Sequence, residues 1–218
     1  MPKIVSFSNQ KGGVGKSATS IQFAYYLALK LNKKVLVIDF DPQGNTSSRI
    51  GGFGSVFGQS EYNGATRSAE LFSGEDIDIT VFKCPVGGID LIHTPKDCPD
   101  LSDIEKESLD IAVRPRNHIS KIKDNYDYII IDCPPSLGRK LFAALSLSTH
   151  VVAPVKLSGF AIDGIGGLMK TISMIQKNYN PSLKIAGVLV NDMDKSKAHE
   201  AEYQRLKNEI PEQFLFAN

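Results

Sequence analysis

The chain carries almost no net charge: 25 Lys and Arg stand against 24 Asp and Glu, a formal balance of +1 over 218 residues. That balance gives no general attraction to a polyanion, so any contact with nucleic acid has to come from a local patch or from an assembly. Cysteine is scarce too. Cys84, Cys98 and Cys133 are odd in number and none stand in C-x-x-C spacing, which argues against a disulfide framework and leaves buried or idle thiols. His93, His118, His150 and His199 are scattered without metal-ligand spacing and read as structural or surface residues. No apolar run approaches the ~20 residues that span a bilayer. The amino terminus goes straight into a strand pattern, with no charged-then-apolar leader. A cytoplasmic location without stable membrane insertion is the expectation. Hydrophobic residues make up 42% of the chain and charged residues 22%, ordinary values for one globular domain over 1–218.

What is present is an alternation of apolar strands with helical patterns, which predicts an α/β fold: a three-layer sandwich with a mainly parallel, twisted sheet. Strands are expected at 3–8, 34–39, 89–93, 127–132, 149–155 and 184–191. Val35-Leu36-Val37-Ile38 and Tyr128-Ile129-Ile130-Ile131 are apolar without alternation, as strands covered on both faces are. One helix is expected from near Lys16 to before Asn32. A second is expected over about 161–179, where Ile162, Ile165, Leu168, Met169, Ile172 and Ile175 recur at helical spacing and read as core in preference to subunit contact. Residues 44–75, rich in Gly and Ser, read as a mobile connection with short helical pieces, placed where it could sense a nucleotide.

The densest signal is Lys11-Gly12-Gly13-Val14-Gly15-Lys16-Ser17, directly after the apolar run Ile4-Val5-Ser6-Phe7. A strand that runs into a glycine loop closed by Gly-Lys-Ser is how a P-loop NTPase holds a nucleoside triphosphate. Glycines let successive N–H groups turn inward around phosphate oxygens, and the next helix adds its positive dipole end. Lys16 is expected on the β/γ-phosphates and the Ser17 hydroxyl directly on Mg2+. Ala18 continues the loop into the helix. The form departs from the usual G-x-x-x-x-G-K-[ST], because Gln10 stands at the first glycine position and a second lysine, Lys11, opens the loop.

Two acidic motifs follow strand ends: Asp39-Phe40-Asp41-Pro42-Gln43-Gly44-Asn45 and Asp132-Cys133-Pro134-Pro135-Ser136. Ligands of an open α/β sheet bind at the carboxyl ends of its strands, so these aspartates should converge on the P-loop. A carboxylate after an apolar strand is costly unless paired. Mg2+ with its waters is one partner, and capping of the next helix is the other reading.

In this order and spacing, K-G-G-V-G-K-S, I-D-F-D-P-Q-G-N and Y-I-I-I-D-C-P-P-S resemble the ParA/Soj branch of the ParA–MinD ATPases, the deviant Walker A type of P-loop NTPase. The later segments Ala153-Pro154-Val155 and Gly187-Val188-Leu189-Val190-Asn191 fit less specifically, and the resemblance spans roughly 1–195. It implies a Mg2+-dependent ATPase that forms a homodimer around ATP. Lys11 then reaches the partner's phosphates, Asp41 orients the attacking water, and Asp39 and Asp132 hold Mg2+ through water. It also implies non-specific DNA binding and a ParB-like activating partner in DNA segregation or cargo positioning.

Asn191 and Asp192 are candidates for facing the base. Lys195, Lys197, Arg205 and Lys207 on a late helix are candidates for DNA, against the alternative of a solvated helix face. The family continues beyond its last strand here through another strand, a nucleotide-facing loop and a closing helix. The stop at Asn218 therefore leaves the adenine contacts and part of a DNA surface open. With nothing ahead of the first strand, no fused helix-turn-helix domain is expected. A MinD-like membrane-positioning ATPase and a nucleotide-gated scaffold with little turnover are the alternatives; the first needs an amphipathic basic helix that 196–210 lacks. A cluster-carrying relative is rejected because Cys133 directly follows Asp132.

Overall fold

A computed structural model describes residues 1–52, 62, 64–157, 161–194 and 196–216. Among them the chain runs through β1 (Lys3–Phe7), α1 (Lys16–Tyr25), β2 (Val35–Asp39), α2 (Asn45–Gly51), β3 (Phe82–Lys83) and β4 (Ile89–Ile92). It continues through α3 (Pro99–Asp103), α4 (Arg114–Ser120), β5 (Tyr128–Asp132), α5 (Arg139–Leu147), β6 (His150–Lys156), α6 (Ala161–Asn178), β7 (Lys184–Asn191) and α7 (Lys197–Glu209). The sheet order is β3-β4-β2-β5-β1-β6-β7. All neighbours pair in parallel except β3, which runs antiparallel to β4 at the edge.

Each expected strand is present to within a residue or two. The short β3 was not expected; two residues carry no periodicity to read. The first helix continues beyond Tyr25 as a π-helical turn over Tyr26–Lys30, so the expected helical span to just before Asn32 is filled by two helix types.

Side-chain alternation along the strands divides the core. Ile4, Leu36, Ile38, Ile129, Ile131, Val151 and Ala153 face one layer, where α4, α5, α6 and Leu206 of α7 pack. Val5, Phe7, Val35, Val37, Ile130 and Val152 face the other, under α1 and α2. The central strands are apolar at every position because both faces are covered. Burying each large aliphatic side chain contributes about 1.5–3 kcal/mol. On α6, Ile165, Leu168, Ile172 and Ile175 are buried, so the stripe belongs to the core.

Part of the expected mobile connection, 53–61 and 63, lies outside the described residues. The short helical pieces expected in 44–75 are present among the described residues. Residues 45–51 form α2, with Thr46, Ser47 and Ile50 buried, and a 3-10 turn covers Ser68–Phe72.

Candidate functional site

Strand order brings the motifs together. β1 and β2 both flank β5, with Phe7 in register with Asp132 and Asp39 in register with Asp132. Three chain segments therefore leave the same end of the sheet side by side: the glycine loop after β1, the Asp39–Asn45 turn after β2 and the Cys133–Gly138 loop after β5.

The glycine loop is anchored at its start by Asn9. Its side-chain amide donates to the Pro154 carbonyl at 2.8 Å, and its Oδ1 accepts the Lys11 N–H at 3.0 Å. Gly15 sits at φ 91°, ψ 21° immediately before α1, a conformation that L side chains avoid. A Cβ there would also stand 2.0 Å from Asn191 Nδ2. Lys16 is buried, and its ammonium curls back to donate to the Lys11 carbonyl at 3.1 Å. Burial lowers its pKa, while the nearby carboxyl groups of Asp132 and Asp41 oppose that shift. The charges of Lys16, Asp41 and Asp132 thus act on one another, as the convergence read from the strand ends requires. Lys11 is half-buried at the mouth of the loop, Gly12, Gly13 and Ala18 are exposed, and Val14 is buried.

The two strand-end aspartates are both fully buried but differently satisfied. Asp39 Oδ2 accepts the Ser47 N–H at 2.8 Å and the Ser47 hydroxyl at 2.7 Å, and Oδ1 accepts the Asp41 N–H at 3.1 Å. Burial and the neighbouring Asp132 push its pKa well up, against the pull of Ser47. Asp132 Oδ2 accepts the Thr46 hydroxyl at 2.6 Å, whereas its Oδ1 has no hydrogen-bond partner. Burial raises the Asp132 pKa to about 6, and the hydroxyls of Ser17 and Thr46 pull it the other way. A buried carboxylate oxygen without a donor is costly, and the Ser17 hydroxyl acts on the same carboxyl group. That donor set suits a hydrated hard cation, which keeps most of its own waters and needs few protein ligands.

Asp41 is partly exposed; its Oδ1 accepts the Gln43 N–H at 3.0 Å. Asn191 does come to the glycine loop: its side-chain Nδ2 donates to the backbone carbonyl of Val14 at 3.1 Å. Asp192 is exposed, at φ 58°, and is ion-paired with Lys156. Lys197, Arg205 and Lys207 are exposed on α7. Arg205 pairs with Glu202 at 3.0 Å and Lys207 lies over the Tyr203 ring; Lys195 is outside the described residues.

Sequence reading missed Thr46, Ser47 and Thr94. The Thr94 N–H donates to Ser47 Oγ at 2.8 Å and its hydroxyl to the Asp39 carbonyl at 2.5 Å. The signal available was a hydroxyl pair one turn beyond a strand-end aspartate.

The AAA-domain family model matches residues 2–185. The sporulation initiation inhibitor protein Soj of Bacillus subtilis is 36% identical over 200 residues, which are 89% of this chain and 74% of Soj. The chain belongs to the ParA/Soj family of partition ATPases. A plasmid partition protein of Borrelia burgdorferi bound to AMPPNP superposes with a TM-score of 0.80 at 25% identity, over 98% of this chain and 84% of that one. Cobyrinic acid a,c-diamide synthase of Mycobacterium smegmatis, solved with an ATP analogue and magnesium, shares the fold: TM-score 0.81, 24% identity, 97% of this chain and 84% of that one. The α/β architecture and the ParA-like ATPase class are thereby established. Among the described residues, no helix is long and apolar enough to cross a membrane.

Proposed function

We propose that this ParA-like ATPase depends on Mg2+, closes into a homodimer around ATP, holds DNA without regard to sequence in that state, and is released when a ParB-like partner stimulates hydrolysis in the cytoplasm. The observation that carries the reading is the buried Asp132 carboxyl, with Oδ1 unpartnered and Ser17 acting on the group, at the strand end adjoining the glycine loop. In this reading the N–H groups of Gly12 to Ala18 bind the triphosphate, and Lys16 leaves the Lys11 carbonyl for the β/γ-phosphate oxygens. Ser17 would hold Mg2+ directly, and Asp132 through a water on Oδ1. Asp39 serves mainly to fix the turn 41–47, because three donors already occupy its oxygens; any hold on the metal is through water. When bound, the cation supplies charge neutralisation at the phosphate oxygens.

In this reading Asp41, outside the strand and partly exposed, aligns the attacking water. Lys11 at the loop mouth reaches a second copy's phosphates, which ties turnover to dimerisation as an arginine finger does. Asn191 acts on the loop backbone, leaving Asp192 as the residue nearer an incoming base. DNA would meet Lys195, Lys197, Arg205 and Lys207, a weak patch strengthened by doubling.

The test is ATP turnover with Mg2+ and with chelator, beside DNA retention in ATP, ADP and no nucleotide across a salt series. Turnover that needs Mg2+ and ATP-dependent retention that falls steeply with salt are expected. No turnover with Mg2+ and DNA present would favour a scaffold, and retention blind to nucleotide would remove DNA as the switched ligand.

A further inference from the structure

The site has a second anchor that none of its motifs contains. After Asp132 the chain runs through Cys133, Pro134, Pro135, Ser136, Leu137 and Gly138 into α5. At the near end it is tied to the sheet, with the Cys133 N–H donating to the Phe7 carbonyl at 3.3 Å. At the far end it is tied by Glu105, which comes from a 3-10 turn over Ile104–Lys106. Glu105 Oε2 accepts the Arg139 N–H at 2.7 Å, and Oε1 accepts the Lys140 N–H at 3.4 Å. The Lys140 ammonium pairs with Oε1 at 2.8 Å and also donates to the Leu101 carbonyl at 3.1 Å. Lys140 is 2% exposed, so this buried ammonium is placed by Glu105 and Leu101. Arg139 Nε adds a bond to the Glu107 carbonyl at 3.0 Å.

The fit around the carboxylate leaves no slack. A Cβ on Gly138 would stand 1.8 Å from Glu105 Oε2 and 2.5 Å from Oε1. Gly138 itself has extended backbone, φ −114° and ψ −161°, which any residue adopts. The requirement for glycine there comes from Glu105 and not from the backbone. Burial would raise the Glu105 pKa, but the bonds from Lys140 and Arg139 outweigh it and hold the carboxyl below its ordinary value, ionised at neutral pH.

We propose that Glu105 is a positioning residue for nucleotide turnover: clamped on the N–H groups of Arg139 and Lys140 and on the Lys140 ammonium, it fixes where the loop 134–138 leaves Asp132. Between its two anchors the loop is stiffened by two prolines and otherwise has exposed residues, Ser136 and Leu137 among them. A shift at either anchor is therefore passed to the strand end that faces the P-loop. The inference rests on the ATPase reading for its consequence but not for its geometry.

The test is a cycle of Glu105→Ala, Gly138→Ala and the double variant, with Glu105→Gln as a milder change, all assayed well below their melting temperatures. Glu105→Ala should lower kcat by about 10- to 100-fold, the scale of a displacement of about 1 Å, with KM for ATP within about twofold. Glu105→Gln, which keeps an acceptor oxygen, should recover most of the rate. Gly138→Ala should be as slow as Glu105→Ala, and the double variant no slower than either, because removing the carboxylate removes the clash. Hydrogen exchange of nucleotide-free protein should rise in 134–142 for Glu105→Ala, with no matching rise in α1. An unchanged kcat in an active parent, additive losses in the double variant, or unchanged exchange in 134–142 would overturn the inference. A parent without turnover would overturn the ATPase reading instead, and the exchange measurement would still decide whether Glu105 holds the loop.

Discussion

Thr46→Val keeps the shape of a fully buried side chain and deletes one hydroxyl. That hydroxyl donates to Asp132 Oδ2 at 2.6 Å, Asp132 Oδ1 has no hydrogen-bond partner, and Ser17 is the other hydroxyl that favours the charged form. A hydrogen bond to a charged group contributes about 1.5–3 kcal/mol, so a loss of about 2 kcal/mol is expected where Asp132 is ionised. For a domain of this size that corresponds to a fall in Tm of roughly 4–8 °C. The pH dependence gives the sharper test. In the fold the Asp132 pKa is raised from 3.8 to about 6, chiefly by burial. An acid raised in this way makes the folded state hold a proton that the unfolded chain has already released, so stability falls as pH rises from 3.8 through 6. Thr46 offsets part of that cost only once Asp132 has ionised. The penalty of the substitution should therefore be near its full value at pH 8 and much smaller at pH 5. Urea unfolding of nucleotide-free protein in chelator, parent against variant at both pH values, measures it. A penalty under about 0.5 kcal/mol at pH 8, or equal penalties at pH 5 and pH 8, would refute the assignment of Thr46 as a donor that favours charged Asp132.

Lys16→Ala should weaken ATP binding by about 10- to 150-fold, the worth of a charge-assisted hydrogen bond; calorimetry showing parent affinity would remove Lys16 from the phosphate site. Asp41→Ala should bind ATP near normally yet accumulate as a long-lived nucleotide complex, seen as retained nucleotide after gel filtration, and parent-rate hydrolysis would move the water-aligning role elsewhere. His93 is 3% exposed and stacked on Tyr62, and burial pushes its pKa from 6.5 down to about 4. The unfolded chain then takes up the proton first, so stability present above pH 6.5 is lost towards pH 4, by roughly 3 kcal/mol in all. Because Asp132 works in the opposite direction across part of that window, the measurement is the difference between parent and His93→Gln, and parallel stability–pH curves for the two would count against it.

The alternation of strands and helices, the uninterrupted apolar runs of β2 and β5, the apolar stripe of α6 and the glycine loop were all legible in the sequence. Each is written in local terms, as a periodicity, a burial requirement or a backbone conformation that only neighbouring residues need satisfy. The placement of Asp39 and Asp132 beside the loop was legible too, since strand ends of a parallel sheet share one side. What occupies their oxygens was not. Thr46 meets Asp132 across 86 residues and Asn191 meets Val14 across 177, and Glu105 reaches Arg139 across 34. A hydroxyl, an amide or a carboxylate in such a segment has no periodicity to reveal its partner. Strand order and helix packing choose that partner, because a buried polar group must be satisfied by whatever the folded chain brings within about 3 Å. The sequence alone thus pointed to a chain that holds a nucleoside triphosphate, while the tertiary structure decided which buried carboxylate oxygen is left without a partner and which distant glutamate bonds the start of α5.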